Sequence, residues 1–378
     1  MPASRRSWWP AAQRKPQPSK ISDTVSPAVD ILIPQMASAD ATSNHTRLIQ
    51  ELLEEKQFEV RIVVERRTRA TRGTIPIEKW KCDAQVSILQ HSIGSEVAQC
   101  VIRKRSPIVL NYHNITPAEY FRAWQPELAR SVERGRQQLH QLAPLTRRGI
   151  ADSAFNAREL QELGINDVVV SPVLWQLDGQ LSHGDAETTN KISEDGGTML
   201  FVGRLAPNKC QHDLIAAFAV LSRLRPKSRL VLVGDASPPE YLLSLKGLAR
   251  RLGVNDRVVF AGKVSDQDLL GWYQVADVLA CASEHEGFGV PLVEAMAKGL
   301  PVVAYDAAAV AETLHGAGIV LSDKRPVTVA TAINRVLKDR KLQSTLRHRG
   351  IKAAQRFDIS LTRQQMWDAL RDLLEPQS

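Results

Sequence analysis

Two glutamates, Glu286 and Glu294, stand on either side of a glycine-rich turn in "SEHEGFGVPLVEAMAKGLPVVAYD", residues 283–306. The turn follows the apolar run "ADVLACAS" (276–283), which places it at the carboxyl end of a strand. Pro291 suits the first turn of a helix through "VPLVEAMAK", and Gly299 suits its stop. The backbone amides of Gly287, Phe288, Gly289 and Val290 then lie in the loop and first turn with unpaired donors, where the helix dipole favours an anion. Glycine lets such a backbone come close to a ligand. Glu294, about one turn into the helix, is placed to offer a carboxylate to hydroxyls such as those of a ribose, and Glu286 faces the same pocket from the loop. A plainer reading gives both acids only the preference of a helix start for negative charge.

A second set lies in "FVGRLAPNKCQHDLIAAF" (201–218), where a strand ending at Gly203 leaves Arg204 and Lys209 near the same crevice. Two cations there can neutralise a diphosphate; alone, they read as ordinary surface charge. In the other half of the chain "PIVLNYH" (107–113) ends at His113, followed by Asn114. An imidazole at that strand end is expected to face a cleft, to hydrogen-bond a sugar hydroxyl or polarise a reacting centre. His91 and Ser92, in "LQHSIGSEVAQCV", are candidates on the acceptor side by the same argument. The histidines show no ligand spacing and no HExxH or DxD element stands out, so neither a metal nor a cofactor is expected.

The elements that must position these residues are legible as alternation. Strand runs at 29–34, 59–64, 84–89, 107–113, 149–154 and 167–173 are separated by helical patterns such as "NHTRLIQELLEEK", and runs at 198–205, 228–235, 256–264, 276–283, 301–306 and 317–322 repeat the theme. The fold class is therefore α/β, two doubly wound Rossmann-like domains facing a cleft. The expected division is a disordered basic tail (1–27), an N-terminal Rossmann-like domain (28–176), a polar linker (177–197), a C-terminal Rossmann-like domain (198–357), and a last helical segment (358–378) packing back across the boundary. In that segment Leu361, Met366, Leu370, Leu373 and Leu374 fall mainly on one side.

The chain has 378 residues, 43% hydrophobic and 24% charged, and suits two domains. Four dispersed cysteines without a CxxC pair point to a reducing cytoplasm. No run approaches the length of a membrane span. Of the net charge of +8, the first 26 residues hold +4, five bases against Asp23. Residues 103–148 add nine bases against Glu119, Glu127 and Glu133. That excess fits either a solvated helix face or peripheral contact with the inner face of a membrane; the scarcity of aromatics and of binding motifs argues against nucleic acid.

"EGFGVPLVEAMAKG" closely resembles the E-x7-E element of family 4 glycosyltransferases, retaining enzymes of the two-domain GT-B fold, and "GR-x4-K" at Gly203, Arg204 and Lys209 resembles their second element. The resemblance implies that Arg204 and Lys209 contact the donor's diphosphate, that Glu294 takes the ribose and Glu286 the sugar, that backbone near Val264 meets the nucleobase and Gly234 lines the crevice, and that residues 198–357 bind the nucleotide sugar while residues 28–176 bind the acceptor. It also implies a role for His113. The chain departs from the family after its first strand: Ala37, Ser38, Ala39 and Asp40 stand where glycines are usual, with Asp40 a candidate on the acceptor side and Asn44 a cap for the next helix.

The reading that follows is a metal-independent retaining glycosyltransferase, moving a sugar from a nucleotide diphosphate sugar to a saccharide or lipid-linked acceptor hydroxyl in polysaccharide, glycolipid or glycoconjugate assembly. Two alternatives are a nucleotide-sugar epimerase of the same architecture and a noncatalytic nucleotide-sugar-binding protein.

Overall fold

The apolar runs become two parallel sheets in a computed structural model, which describes residues 28–37, 41–65, 71, 73–176 and 196–375. The first sheet has the order β3(Ile75–Pro76), β2(Glu59–Val64), β1(Ala28–Ile33), β4(Val86–His91), β5(Ile108–Tyr112), β6(Thr146–Ala151), β7(Val168–Val170). The second has the order β10(Val258–Gly262), β9(Lys227–Val233), β8(Gly196–Val202), β11(Val278–Cys281), β12(Val302–Tyr305), β13(Ile319–Leu321). Strands buried on both faces need continuous apolar runs, and Ile31, Leu32, Ile88, Leu110, Leu200, Val231 and Val278 are fully buried. In each sheet the strand order reverses beside the first strand, at β1/β4 and at β8/β11. A crevice must open outside the carboxyl ends there. The loops carrying Arg204 and Glu286 leave β8 and β11, so both sit at the reversal of the second sheet.

Several expectations shift in detail. β8 takes in Gly196 and Gly197, two residues of the expected linker; the rest of that segment and the tail at 1–27 lie outside the described residues. The edge strand Ile75–Pro76 went unrecognised because two residues, one of them proline, carry no periodicity. Helix α1(Ala41–Glu55) starts before Asn44, which therefore lies inside the helix and accepts a hydrogen bond from Arg47 at 2.7 Å instead of capping.

The chain crosses between the domains twice. At the first crossing Val173 joins the core of the C-terminal domain while Leu174 joins that of the N-terminal domain. At the second, helix α13(Ile359–Leu374) lays Met366, Trp367, Leu370 and Leu374 onto Val29, Ile31, Ile49 and Ile150 of the N-terminal domain. Arg148 clamps it through Asp372 at 2.6 Å. Leu361 departs from the expected apolar side and is 51% exposed, while Ile359 in the same turn packs against that core. Among the described residues no helix is long and apolar enough to cross a membrane.

The basic stretch 103–148 is largely neutralised within the fold. Arg122 pairs with Glu133 at 2.8 Å, Arg134 with Glu96 at 2.5 Å, Arg136 with Glu159 at 2.7 Å, Arg148 with Asp372 and Asp167, and Arg130 with Glu127.

Candidate active site

Two strand-end turns form the floor of the site in the C-terminal domain. Gly203 N–H donates to Val233 O and Gly234 N–H to Gly262 O, both at 2.9 Å. At Gly234, with φ of +141°, a Cβ would lie 2.0 Å from Gly203 O, so the two turns can cross only where a side chain is missing. Arg204 follows, its carbonyl held at 2.9 Å by the Gln211 amide. Its guanidinium is exposed and has no partner among the described residues.

A 3-10 turn, Pro207–Lys209, then brings Lys209 Nζ to 2.6 Å from Glu286 Oε2. Glu284 N–H donates to Asn208 O at 2.9 Å and ties the two loops together. The lysine and the first glutamate, 77 positions apart, thus form one partly exposed ion pair.

Helix α9(Val290–Ala297) begins after Gly289, which has φ of +89°, and Pro291 occupies its first turn. The amides of Gly287, Phe288, Gly289 and Val290 find no acceptor among the described residues, leaving free donors beside Lys209. The Phe288 ring points away into the core against Phe357, centroids 5.3 Å apart, so only its backbone faces the site. Val264 packs half-buried at the end of β10, in the same cluster as Trp272.

Glu294 is 9% exposed and accepts a hydrogen bond from Tyr273 Oη at 2.6 Å. The Tyr273 partner lies on helix α8(Asp266–Val275), a contact no motif announces. Burial pushes the Glu294 carboxyl up to about 7 against the opposing pull of the tyrosine hydroxyl. An acid raised on folding adds stability that is complete below its unfolded value, near 4.5, and is lost as pH climbs through 7. Replacing Glu294 by Gln removes that dependence. The melting temperature of wild type should therefore fall relative to Glu294→Gln between pH 4.5 and 8, by a free energy on the order of 3 kcal/mol; parallel melting curves across that range would contradict it.

The N-terminal face is built on buried polar groups. Leu174 N–H donates to His45 Nδ1 at 2.8 Å, so the proton of this imidazole sits on Nε2, and the Asn111 side chain 2.7 Å away must turn its amide oxygen to it to accept that proton. Burial drives His45 far below its usual range and keeps it neutral. Asn111 meets Gln90 at 3.1 Å, Gln90 meets His113 Nε2 at 2.6 Å, and His113 Nδ1 lies 2.9 Å from Asp152. Both ring nitrogens of His113 are therefore occupied. Its ring is held by this chain, and what it turns to the other domain is its backbone carbonyl.

His45 had no motif to mark it. The available signal was a histidine on the same face of α1 as Ile49 and Leu52, all buried.

His91 does not reach the cleft. It is 1% exposed, meets Gly135 O through Nε2 at 3.0 Å, and burial lowers it to about 4. The cause is helix α4(Pro126–Leu142): Gly94 and Gly135 touch so closely that a Cβ on Gly135 would be 2.6 Å from Gly94 N, and the helix covers the end of β4. Ser92 stays half-buried beside it. Asp40 lies outside the described residues.

His45, His113 and Asp152 bring ligand-type atoms within 4.8 Å of one another, as do Cys210, His212 and Asp213. In the first group the imidazole nitrogens already serve the hydrogen-bond chain. In the second, burial lifts the Cys210 thiol to about 11, and Lys324 holds Asp213 at 2.8 Å. Neither donor set is free to take an ion without dismantling these contacts.

The domains touch through the Glu286 loop and through the short helix Val310–Leu314, which carries Glu312. Ser153 Oγ donates to Gly287 O at 2.8 Å, and the Glu312 carboxylate accepts from the Ala154 and Phe155 amides at 2.6 and 3.2 Å, capping α5(Ala154–Glu162) from the opposite domain. A Cβ at Gly287 would stand 2.8 Å from Asn114 Cβ and 3.2 Å from His113 O. Gly287→Ala should accordingly hold the cleft apart and lower turnover about 100-fold while nucleoside diphosphate affinity stays within about twofold; equal losses in both would show that the glycine serves the binding loop alone.

Residues 185–356 match the family model described as glycosyl transferases group 1. That match spans 172 of the 378 residues, and over it the chain is similar to the group 1 glycosyl transferases. Mannosylfructose-phosphate synthase of Agrobacterium fabrum is 39% identical over 127 residues, 32% of this chain and 26% of that protein. D-inositol 3-phosphate glycosyltransferase of Jonesia denitrificans is 32% identical over 172 residues, 44% of this chain and 41% of that one. The chain thus spans well under half the length of these curated relatives. The crystal structure of Anabaena HepE in complex with UDP-glucose superposes with a TM-score of 0.71 over 91% of this chain and 99% of that one, at 20% identity. The chain accordingly shares the two-domain GT-B fold, with the switch-point crevice of its C-terminal domain facing the His113 loop.

Proposed function

We propose that the chain is a retaining glycosyltransferase of the family 4 type, moving a sugar from a nucleotide diphosphate sugar to an acceptor hydroxyl in polysaccharide, glycolipid or glycoconjugate assembly. The observation that carries this reading is the Lys209–Glu286 ion pair at 2.6 Å, between loops that also carry the Arg204 guanidinium and the amides of Gly287 to Val290, none of which has a partner among the described residues. A diphosphate meets fixed positive ends there, while Glu286 accepts from sugar hydroxyls and Glu294 offers its Oε1 to a ribose. HepE, which shares the fold, was crystallised with UDP-glucose, in keeping with a donor of this class.

In the step proposed, the bond from the anomeric carbon to the leaving phosphate oxygen breaks as the acceptor oxygen bonds to the same face. The departing phosphate oxygen takes the acceptor's proton, so charge develops on the diphosphate and is met by Arg204 and Lys209. Glu286 supports the positive charge at the anomeric centre without forming a bond to it. No metal is given a part. Closure of the two domains excludes water from the reacting atoms.

The four cysteines are free thiols, which suits a reducing cytoplasm. Peripheral contact with the inner face of a membrane would rest on Arg103, Arg105 and Arg147, which lack carboxylate partners among the described residues, and co-sedimentation with anionic vesicles tests it. The retaining step is tested by proton NMR of the product formed from an α-linked donor: an α linkage supports it, and a β linkage rejects it.

A further inference from the structure

His285 precedes Glu286 on the loop after β11, and its Nε2–H donates to Asn114 Oδ1 in the opposite domain. Asn114 Nδ2 donates in turn to Asn156 Oδ1 at 2.7 Å. Asn156 N–H donates to Ser153 Oγ at 3.2 Å, and that hydroxyl donates to Gly287 O at 2.8 Å. The hydrogen bonds therefore close a ring that crosses the cleft twice and encloses Glu286 between its two crossing points. The Phe155 ring stands edge-on to the imidazole, centroids 6.3 Å apart.

We infer that His285 and Asn114 are positioning residues whose contact across the cleft sets the place of Glu286 when the domains close. The inference rests on the transfer reading above. Glu286 has two holds on it: the lysine from its own domain and, through the flanking residues, the N-terminal domain. The first exists whether or not the cleft is closed. The second forms only on closure, so the acid is fixed at the sugar after the acceptor domain has arrived.

Two further features fit this part. Asn114 is buried with φ of +67°, a backbone conformation that asparagine and glycine tolerate and that aims its amide at the other domain. His285 is flanked by Arg136, Lys209, Glu286 and Glu159; burial, then the two cations, lower it to about 4. The imidazole consequently stays neutral, and a donated proton on Nε2 costs no charge.

The test compares His285→Ala, Asn114→Gly and the double variant with wild type, reading nucleoside diphosphate affinity by calorimetry and kcat with a nucleotide sugar. Glycine keeps the left-handed backbone at position 114 and removes only the amide. Each single change should lower kcat about tenfold and leave the affinity within about twofold, because the diphosphate contacts all lie in the C-terminal domain. The double variant should be no worse than either single one, and His285→Gln, which retains an N–H of similar reach, should recover most of the loss. Unchanged kcat, multiplying losses, or affinity that falls in step with kcat overturns the inference alone. A wild type that binds no nucleoside diphosphate overturns it together with the transfer reading.

Discussion

Lys209→Ala should lower kcat/KM by about 1,000-fold, the largest loss expected of any single change in this chain. Two effects add. The diphosphate loses a cation placed where negative charge grows as the sugar departs, a contribution of about 3–4 kcal/mol when such a donor is removed from a preorganised site. Glu286, whose side chain is 14% exposed, also loses its counter-ion and then repels the incoming diphosphate. Nucleoside diphosphate affinity should therefore fall as well, and the salt dependence of binding should weaken. Steady-state kinetics and calorimetry at two ionic strengths check this, with the melting temperature as a control for folding; kcat/KM within tenfold of wild type would remove Lys209 from the site.

Glu286→Gln should separate binding from turnover, moving them in opposite directions. Glutamine keeps the shape and a hydrogen-bonding oxygen but releases Lys209 from its 2.6 Å partner. A charge a few ångströms away is screened at this partly exposed position, so the gain for a diphosphate is about 1 kcal/mol, or roughly fivefold tighter binding. Turnover should fall about 100-fold, because a neutral amide does less for positive charge at the anomeric carbon. Calorimetry with the nucleoside diphosphate and single-turnover kinetics with the nucleotide sugar measure the two separately. An acid with no part in the chemistry would leave turnover unchanged while binding still tightens.

The cluster proposed to hold the donor is legible in the sequence because its parts are local. Arg204 and Lys209 follow one strand, the amides of Gly287 to Val290 follow another, and strand-end loops must meet where a parallel sheet reverses its order. Proline and glycine mark the limits of α9 in the chain itself, and the structure has them in those places. What the chain did not announce are contacts between distant positions. Tyr273 meets Glu294 across 21 residues, Lys209 meets Glu286 across 77, and Asn114 meets His285 across 171, the last only because two domains fold onto each other.

The two strand-end histidines make the same point. His91 and His113 sit at the ends of adjacent strands and look alike in sequence, yet α4 buries one through the Gly94–Gly135 approach while the Asp152–Gln90 chain holds the other at the domain boundary. Which helix covers which strand end depends on packing that no short motif encodes. His45, which anchors that chain from α1, was missed for the same reason: its partners Asn111 and Leu174 lie 66 and 129 positions away.

The measurement that bears most directly on the central claim is a count of products by mass spectrometry, with UDP-, GDP- and ADP-sugars offered alongside saccharide and lipid acceptors, for wild type and Lys209→Ala. A transferase releases one nucleoside diphosphate for each sugar gained by an acceptor, and both products should fall together in the variant. An epimerised nucleotide sugar with no nucleoside diphosphate released, or tight donor binding without any product across the panel, would contradict that claim.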